Sequence, residues 1–247
     1  MHEGCRNRKN GNAVHRNRNS TIWYDGDAIA NICRNHFNVR FWRRQGFRCQ
    51  KAGGRGAAWM VSTPDAEMVL RRYLRGGMIA RITRENFVFR PAASSRAMRE
   101  FALLQEMRNL KLPVPRPLAA LHERHGACYR AAIIVERIDR SAGVASIVKN
   151  KPLRPEIWAR IGATINAFHE KGIFHADLNC HNILLDDKED IWLIDFDKCA
   201  HRSDGKWKNS NLERLRRSLR KKKGMNPLFF WEESDWKHLL DGYSGRM

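Results

Sequence analysis

His175-Ala176-Asp177-Leu178-Asn179-Cys180-His181-Asn182, with Asp195-Phe196-Asp197 downstream, is the stretch that decides the reading of this 247-residue chain. It has the form H-x-D-x-x-x-x-N, then two short apolar runs, Ile183–Leu185 and Ile191–Ile194, around an acidic turn, then a second Asp. Phosphoryl transfer to a hydroxyl needs these residue types in this order. A carboxylate must accept the proton of the attacking hydroxyl. An amide oxygen and a second carboxylate, across a hairpin, must hold Mg²⁺ against the phosphates. The pattern therefore predicts Asp177 as the base, Asn182 and Asp195 as metal ligands, and His175 as a brace for the loop. Any one of these residues alone would read as part of a polar turn; all of them in order, with hairpin spacing between, do not.

Outward from this loop the pattern is that of a kinase fold. Arg154–Lys171 reads as a helix stopped by Gly172, and Arg130–Ile138 as a strongly apolar strand. Residues 95–110 carry apolar positions near a 3.6 spacing and end at Pro113, Pro115 and Pro117. Ala58–Ser62 and Glu67–Tyr73 read as strands joined by Thr63-Pro64-Asp65. The expected class is α+β: a protein-kinase-like bilobal fold with a small β-rich N-lobe and a helical C-lobe. Residues 1–20, rich in Asn, Arg and Gly, are expected to be a disordered basic tail. Residues 21–247 form the kinase-like domain, with the N-lobe at about 21–138 and the C-lobe at about 139–247.

Nucleotide contacts are expected upstream. Gly53-Gly54-Arg55-Gly56 precedes a strand, as a phosphate-covering loop does, although a third glycine of the usual spacing is missing. Arg71 stands where a kinase strand carries lysine, and Glu100 on the next helix is its expected ion-pair partner. The planar fork of arginine suits bidentate contact with phosphate or carboxylate. Glu136, near the end of the apolar strand, sits where a hinge would offer backbone groups to adenine.

Composition bounds the rest. Hydrophobic residues make up 43% and charged residues 29%, a globular balance. No apolar run approaches the length that spans a bilayer. The basic N-terminus is followed by no apolar segment, which predicts that it is not a secretory signal and that the protein stays in the cytosol. Six cysteines, at 5, 33, 49, 128, 180 and 199, show no metal-binding spacing and read as reduced thiols. The net charge of +20 fits an anionic partner: a membrane face, a phosphorylated substrate or nucleic acid.

Asp197 replaces the glycine of a protein kinase, no A-P-E motif follows, and Asn179 stands where protein kinases carry lysine. These departures point away from a protein substrate. The runs HADLNCHNILLD, WLIDFDK and NLERLRRSL, with GGRG, VLRRYLRGGMIARI and WARIGATINAFHEKGIFHAD, resemble the 3-deoxy-D-manno-octulosonic acid (Kdo) kinases, a lipopolysaccharide-core kinase family of Gram-negative bacteria. The resemblance covers roughly residues 50–223. It implies ATP-dependent phosphorylation of the 4-hydroxyl of Kdo on a lipid A precursor, by a peripheral protein at the cytoplasmic face of the inner membrane, with Asp177 catalytic. Core heptose is the nearest rival acceptor; an aminoglycoside or a protein is a further alternative. A non-catalytic basic module for RNA or membrane is the alternative of another class. It is disfavoured, and nucleic acid with it, because Asp177, Asn182 and Asp195 are all intact.

One further segment bears on partners. Residues 212–223 read as a helix with Leu212, Leu215 and Leu219 on one face and cations on the rest. Such a helix either packs its leucines on its own domain or lies on an anionic membrane surface.

Overall fold

The computed structural model describes residues 7–9, 12–29, 31–52, 57–74 and 85–246. It is a mixed α/β protein with a large antiparallel sheet and, among the described residues, six α-helices. The chain divides into two compact units, residues 1–105 with 116–137 and residues 106–115 with 138–247.

The first unit is built on the nine-stranded sheet. Its strands are β1 (Asn7–Lys9), β2 (Asn12–Asn17), β3 (Ser20–Asp25), β4 (Arg48–Lys51), β5 (Ala57–Ser62), β6 (Glu67–Arg72), β7 (Phe87–Val88), β8 (Pro117–His125) and β9 (Cys128–Glu136). The order is β1-β2-β3-β8-β9-β6-β5-β4, with β7 also on β9. Period-two burial shows why these segments are strands. In β3 the buried positions are Ser20, Ile22 and Tyr24, and in β6 they are Met68 and Leu70. Ile22, Tyr24, Met68 and Leu70 form one apolar core with Phe37, Trp42, Val61, Leu118, Leu121 and Ile134. Helix α1 (Val39–Arg44), whose first turn is capped by the Asn38 side chain, brings in Trp42. Arg71 lies on the β6 face opposite Met68 and Leu70, paired in register with Ile133 of β9.

The N-terminal segment corrects an expectation. Residues 12–20 are not a disordered tail: β2 pairs with β3 from Asn12↔Asp25 to Asn17↔Ser20, and β3 pairs with β8. Composition misleads here because β2 needs almost no apolar residues. Only Ala13 of β2 is buried; backbone hydrogen bonds to β3, which does carry core residues, hold the rest. Asn12 also donates to the Gln105 side chain at 3.1 Å. The Gly53-Gly54-Arg55-Gly56 loop lies outside the described residues; the strands either side of it, β4 and β5, pair antiparallel.

In the second unit, α3 (Val144–Val148), α4 (Pro155–Glu170), α5 (Trp207–Met225) and α6 (Glu233–Tyr243) surround two small sheets. One contains β10 (Ala142–Gly143), β12 (Ile183–Leu185) and β13 (Ile191–Leu193); the other pairs β11 (Ile173–Phe174) with β14 (Ala200–His201). Helix α4 starts with Pro155 at its first turn and buries Ile157, Trp158, Ile161, Ile165 and Phe168. Two glycines let α4 and α6 meet backbone to backbone. A Cβ on Gly162 would lie 1.9 Å from the Leu239 carbonyl oxygen, and one on Gly242 would lie 2.0 Å from that of Ala159. Gly172 ends the α4 turn at φ +69° and hands the chain to β11. The remaining helix, α2 (Arg96–Asn109), contributes Glu100 and Gln105 to the first unit.

Candidate active site

The loop 175–182 is a tightly hydrogen-bonded turn between β11 and β12. His175 is buried. Its Nδ1 accepts from the Asp177 N–H at 3.2 Å, and its Nε2–H donates to the Ile194 carbonyl at 3.1 Å. Both bonds exist only in the neutral tautomer protonated at Nε2. Burial pushes its pKa below the ordinary histidine value, against the pull of the Ile194 carbonyl and of Asp195 and Asp177. His175 therefore braces the loop rather than exchanging protons.

Two asparagines fix the turn around Asp177. Asn179 donates to the Asp177 carbonyl at 2.8 Å and accepts from the His181 N–H at 2.8 Å. Asn182 donates its Nδ2–H to the same carbonyl at 2.9 Å, and this bond does not use its Oδ1. The backbone of Asn182 accepts from the Ile194 N–H at 3.0 Å. The β12–β13 hairpin, register Ile183↔Leu193, thus connects Asn182 to the segment that carries Asp195. The hairpin turn is organised by Asp186, which accepts from the N–H groups of Lys188 and Asp190 and from the Trp192 indole.

Asp195 adopts φ +66°, a left-handed backbone that non-glycine residues rarely take and that gathers at functional sites. Phe196 beside it is buried, stacked on Phe168 at 5.8 Å and packed on His175 at 4.9 Å. Asn182 and Asp195 offer hard oxygen donors suited to Mg²⁺. Among the described residues no group of three or more His, Cys, Asp or Glu side chains gathers as a metal cage. Mg²⁺ is commonly held by one or two side chains plus water and phosphate, so this donor set would suit such an ion.

Helix α5 supplies what the sequence reading missed. Asn211, buried, accepts from the His175 N–H at 3.1 Å and donates to the His175 carbonyl at 3.0 Å. Ser218 accepts from the Cys180 N–H at 3.1 Å. Between them Arg214 donates to Asp177 Oδ1 through Nε at 3.1 Å and Nη2 at 2.6 Å. Positions 211, 214 and 218 follow i, i+3, i+7 spacing, one step from the leucine stripe. A polar stripe beside an apolar one was the available signal. Leu212, Leu215 and Leu219 are buried, so the leucine face packs on the protein itself.

In the first unit, Arg71 and Glu100 are brought together. Arg71 Nη2 donates to Glu100 Oε1, and the Tyr73 hydroxyl donates to Glu100 Oε2 at 2.5 Å. Glu100 is buried, and the Arg71 guanidinium lies 5.0 Å from the Tyr73 ring. Tyr73 was not anticipated. Glu136 is exposed at the end of β9; its N–H donates to the Arg116 carbonyl at 2.8 Å, and the Arg137 N–H donates to the Glu67 carbonyl at 2.9 Å. Those two N–H groups are therefore already used.

The profile of the "Lipopolysaccharide kinase (Kdo/WaaP) family" matches residues 39–243. Three proteins described as "3-deoxy-D-manno-octulosonic acid kinase" are similar over most of the chain. The one from Vibrio parahaemolyticus is 37% identical, covering 93% of this chain and 96% of its own. That of Actinobacillus succinogenes is 39% identical over 84% and 89%. That of Xanthomonas euvesicatoria is 42% identical over 82% and 81%. Together with the catalytic loop, these define a kinase, a transferase acting on a hydroxyl. The chain belongs to the lipopolysaccharide kinase (Kdo/WaaP) family.

Proposed function

We propose that the protein transfers the γ-phosphoryl group of ATP to the 4-hydroxyl of Kdo on a lipid A precursor, in assembly of the lipopolysaccharide core. The first unit is the N-lobe and the second the C-lobe of a kinase-like fold. The carrying observation is the Asp177 loop, braced by a neutral His175 and held by α5, in a chain of this family. Asp177 takes the proton of the acceptor hydroxyl. Gly53, Gly54 and Gly56 cover the phosphates, Arg71 contacts them while held by Glu100, and backbone near Glu136 meets the adenine. Mg²⁺ on Asn182 and Asp195 would neutralise phosphate charge. Asp195→Asn then raises the Mg²⁺ needed for half-maximal activity; an unchanged Mg²⁺ dependence removes Asp195 from this role.

A lipid-linked acceptor places the enzyme at a bilayer, and no described helix is long and apolar enough to cross one. We assign a peripheral position on the anionic cytoplasmic face of the inner membrane. The end of α5 supports this. Met225 is 72% exposed, Leu228 73% and Phe230 43%. Nearby Arg217, Lys221 and Lys222 pair with no acid among the described residues, whereas Arg216 and Arg220 are bound to Glu233 and Lys223 to Glu232.

The deciding experiment incubates the purified protein with ATP and Kdo-bearing lipid A precursor, then reads product mass and phosphate position. One phosphate on Kdo O4 is expected. Phosphate on a heptose-bearing acceptor alone would establish the rival substrate, and no transfer to either would overturn the reading.

A further inference from the structure

The cation that a protein-kinase loop carries two residues after its catalytic Asp is absent here. Asn179 occupies that place, and both ends of its amide are spent inside the turn, on the Asp177 carbonyl and the His181 N–H. It carries no charge and cannot swing toward a substrate without opening the loop. The positive charge beside Asp177 comes from Arg214 on α5 instead.

The contact is specific. Both Arg214 donors, Nε and Nη2, fall on the same oxygen, Asp177 Oδ1. Among the described residues Oδ2 receives no hydrogen bond. The helix that presents Arg214 is tied to the same loop one turn earlier by Asn211 and one turn later by Ser218. Arg214 is thus anchored on a rigid element that moves with the loop. The pair is about half exposed, 47% for Arg214 and 55% for Asp177, so it adds little to stability. Its arrangement answers a geometric need of the carboxylate.

We propose that Arg214 is a positioning residue for phosphoryl transfer. By occupying Oδ1 it fixes the Asp177 rotamer and turns Oδ2 to the acceptor hydroxyl. Its guanidinium also supplies the loop-side charge that Asn179 lacks. In the step this serves, the acceptor O–H proton passes to Oδ2, the acceptor oxygen bonds to the γ-phosphorus, and the bond from that phosphorus to the bridging oxygen breaks, releasing ADP. The proposal rests on Asp177 being the base.

Arg214→Ala and Arg214→Lys test it at saturating ATP and acceptor. Misplacing a reacting group by about an ångström costs on the order of 10² in rate, so Arg214→Ala should lower kcat by about that factor. The ATP KM and the thermal midpoint should stay close to wild type. Guanidinium ion at millimolar, non-denaturing levels should restore much of the kcat of Arg214→Ala and leave wild type unchanged. Lysine keeps the charge without the fork, so Arg214→Lys should recover only part of the rate. A kcat for Arg214→Ala within about twofold of wild type, well inside the 10² scale of misplacement, overturns the proposal. So does a loss that follows a lowered thermal midpoint and that guanidinium does not relieve. Asp177→Asn, measured in parallel, keeps the two readings apart. If Asp177→Asn is active, the base assignment fails; if it is inactive while Arg214→Ala is normal, only the role of Arg214 fails.

Discussion

Of the arginine–carboxylate pairs in the two units, Arg71–Glu100 in the first and Asp177–Arg214 in the second involve candidate site residues, and they differ in surroundings. Arg71–Glu100 is sunk in the first unit, with the Glu100 side chain 3% exposed and the second carboxylate oxygen bound by Tyr73. Asp177–Arg214 in the second unit stands half in water and leaves one carboxylate oxygen open. Desolvation makes the difference consequential. Breaking a buried pair strands a charge at a cost of about 3–5 kcal/mol, whereas an exposed pair is worth about 0–1 kcal/mol. The first pair is committed to architecture as well as to any phosphate contact. The second is free to serve chemistry, because little stability depends on it.

The largest expected effect breaks the comparison at its exposed end. Asp177→Asn should lower kcat by about 10²–10⁴, the range for losing a general base, with a thermal midpoint near that of wild type. A variant with more than about a tenth of wild-type turnover, far above that range, would remove Asp177 from the role of base. Glu100→Ala tests the buried end. It should destabilise the fold by about 3–5 kcal/mol in denaturant titration, as removal of one buried partner does. Arg71→Ala should also be costly, and the double variant should be little worse than the worse single one. Additive losses would show that the two do not act as a unit.

A buried histidine sharpens the contrast through pH. His169 lies under α6, with Nδ1 2.9 Å from the Tyr243 hydroxyl. Burial lowers its pKa from 6.5 to about 4. The native state therefore resists protonation while the unfolded chain accepts it. Stability is intact above about pH 6.5 and falls as pH drops toward 4, by about 3 kcal/mol at most for a shift of about 2.5 units. Thermal midpoints from pH 7.5 to 4 check this: His169→Gln should flatten the decline, and an equal decline in that variant would sink it. The smallest effect concerns cations that pair with no acid among the described residues. Arg217→Gln with Lys221→Gln should weaken binding to anionic vesicles by about 2 kcal/mol at low salt, at about 1 kcal/mol per basic residue. Turnover of a soluble acceptor should be unchanged. Unaltered vesicle binding would place the membrane contact elsewhere.

The candidate loop and its hairpin stood out in the sequence because phosphoryl-transfer chemistry demands particular side chains at fixed separations along the chain. Asp177, Asn182 and Asp195 are joined by one hairpin, so sequence distance nearly determines their grouping. The long helices α2, α4 and α5 were legible too, since each repeats apolar residues on one face over several turns. Arg214 was hidden by the opposite circumstance: it reaches Asp177 from another element, and its helix advertises leucines and charge rather than the polar stripe between them. Tyr73 was equally silent, since only the fold brings its hydroxyl to Glu100. The β2–β3 hairpin was missed because a strand held by backbone pairing needs no apolar signature of its own.

That hairpin has a practical consequence. A protein chemist trimming the chain beyond Asp25 would strip β3 from β8. The row of backbone groups on β8 from Ala119 to Glu123, now satisfied by β3, would become a bare sheet margin beside the apolar side chains of Leu121 and Ala119. Such a margin recruits strands from other molecules. Shortened forms should thus be sticky, lost to inclusion bodies or soluble oligomers, although every residue of the catalytic loop would still be present.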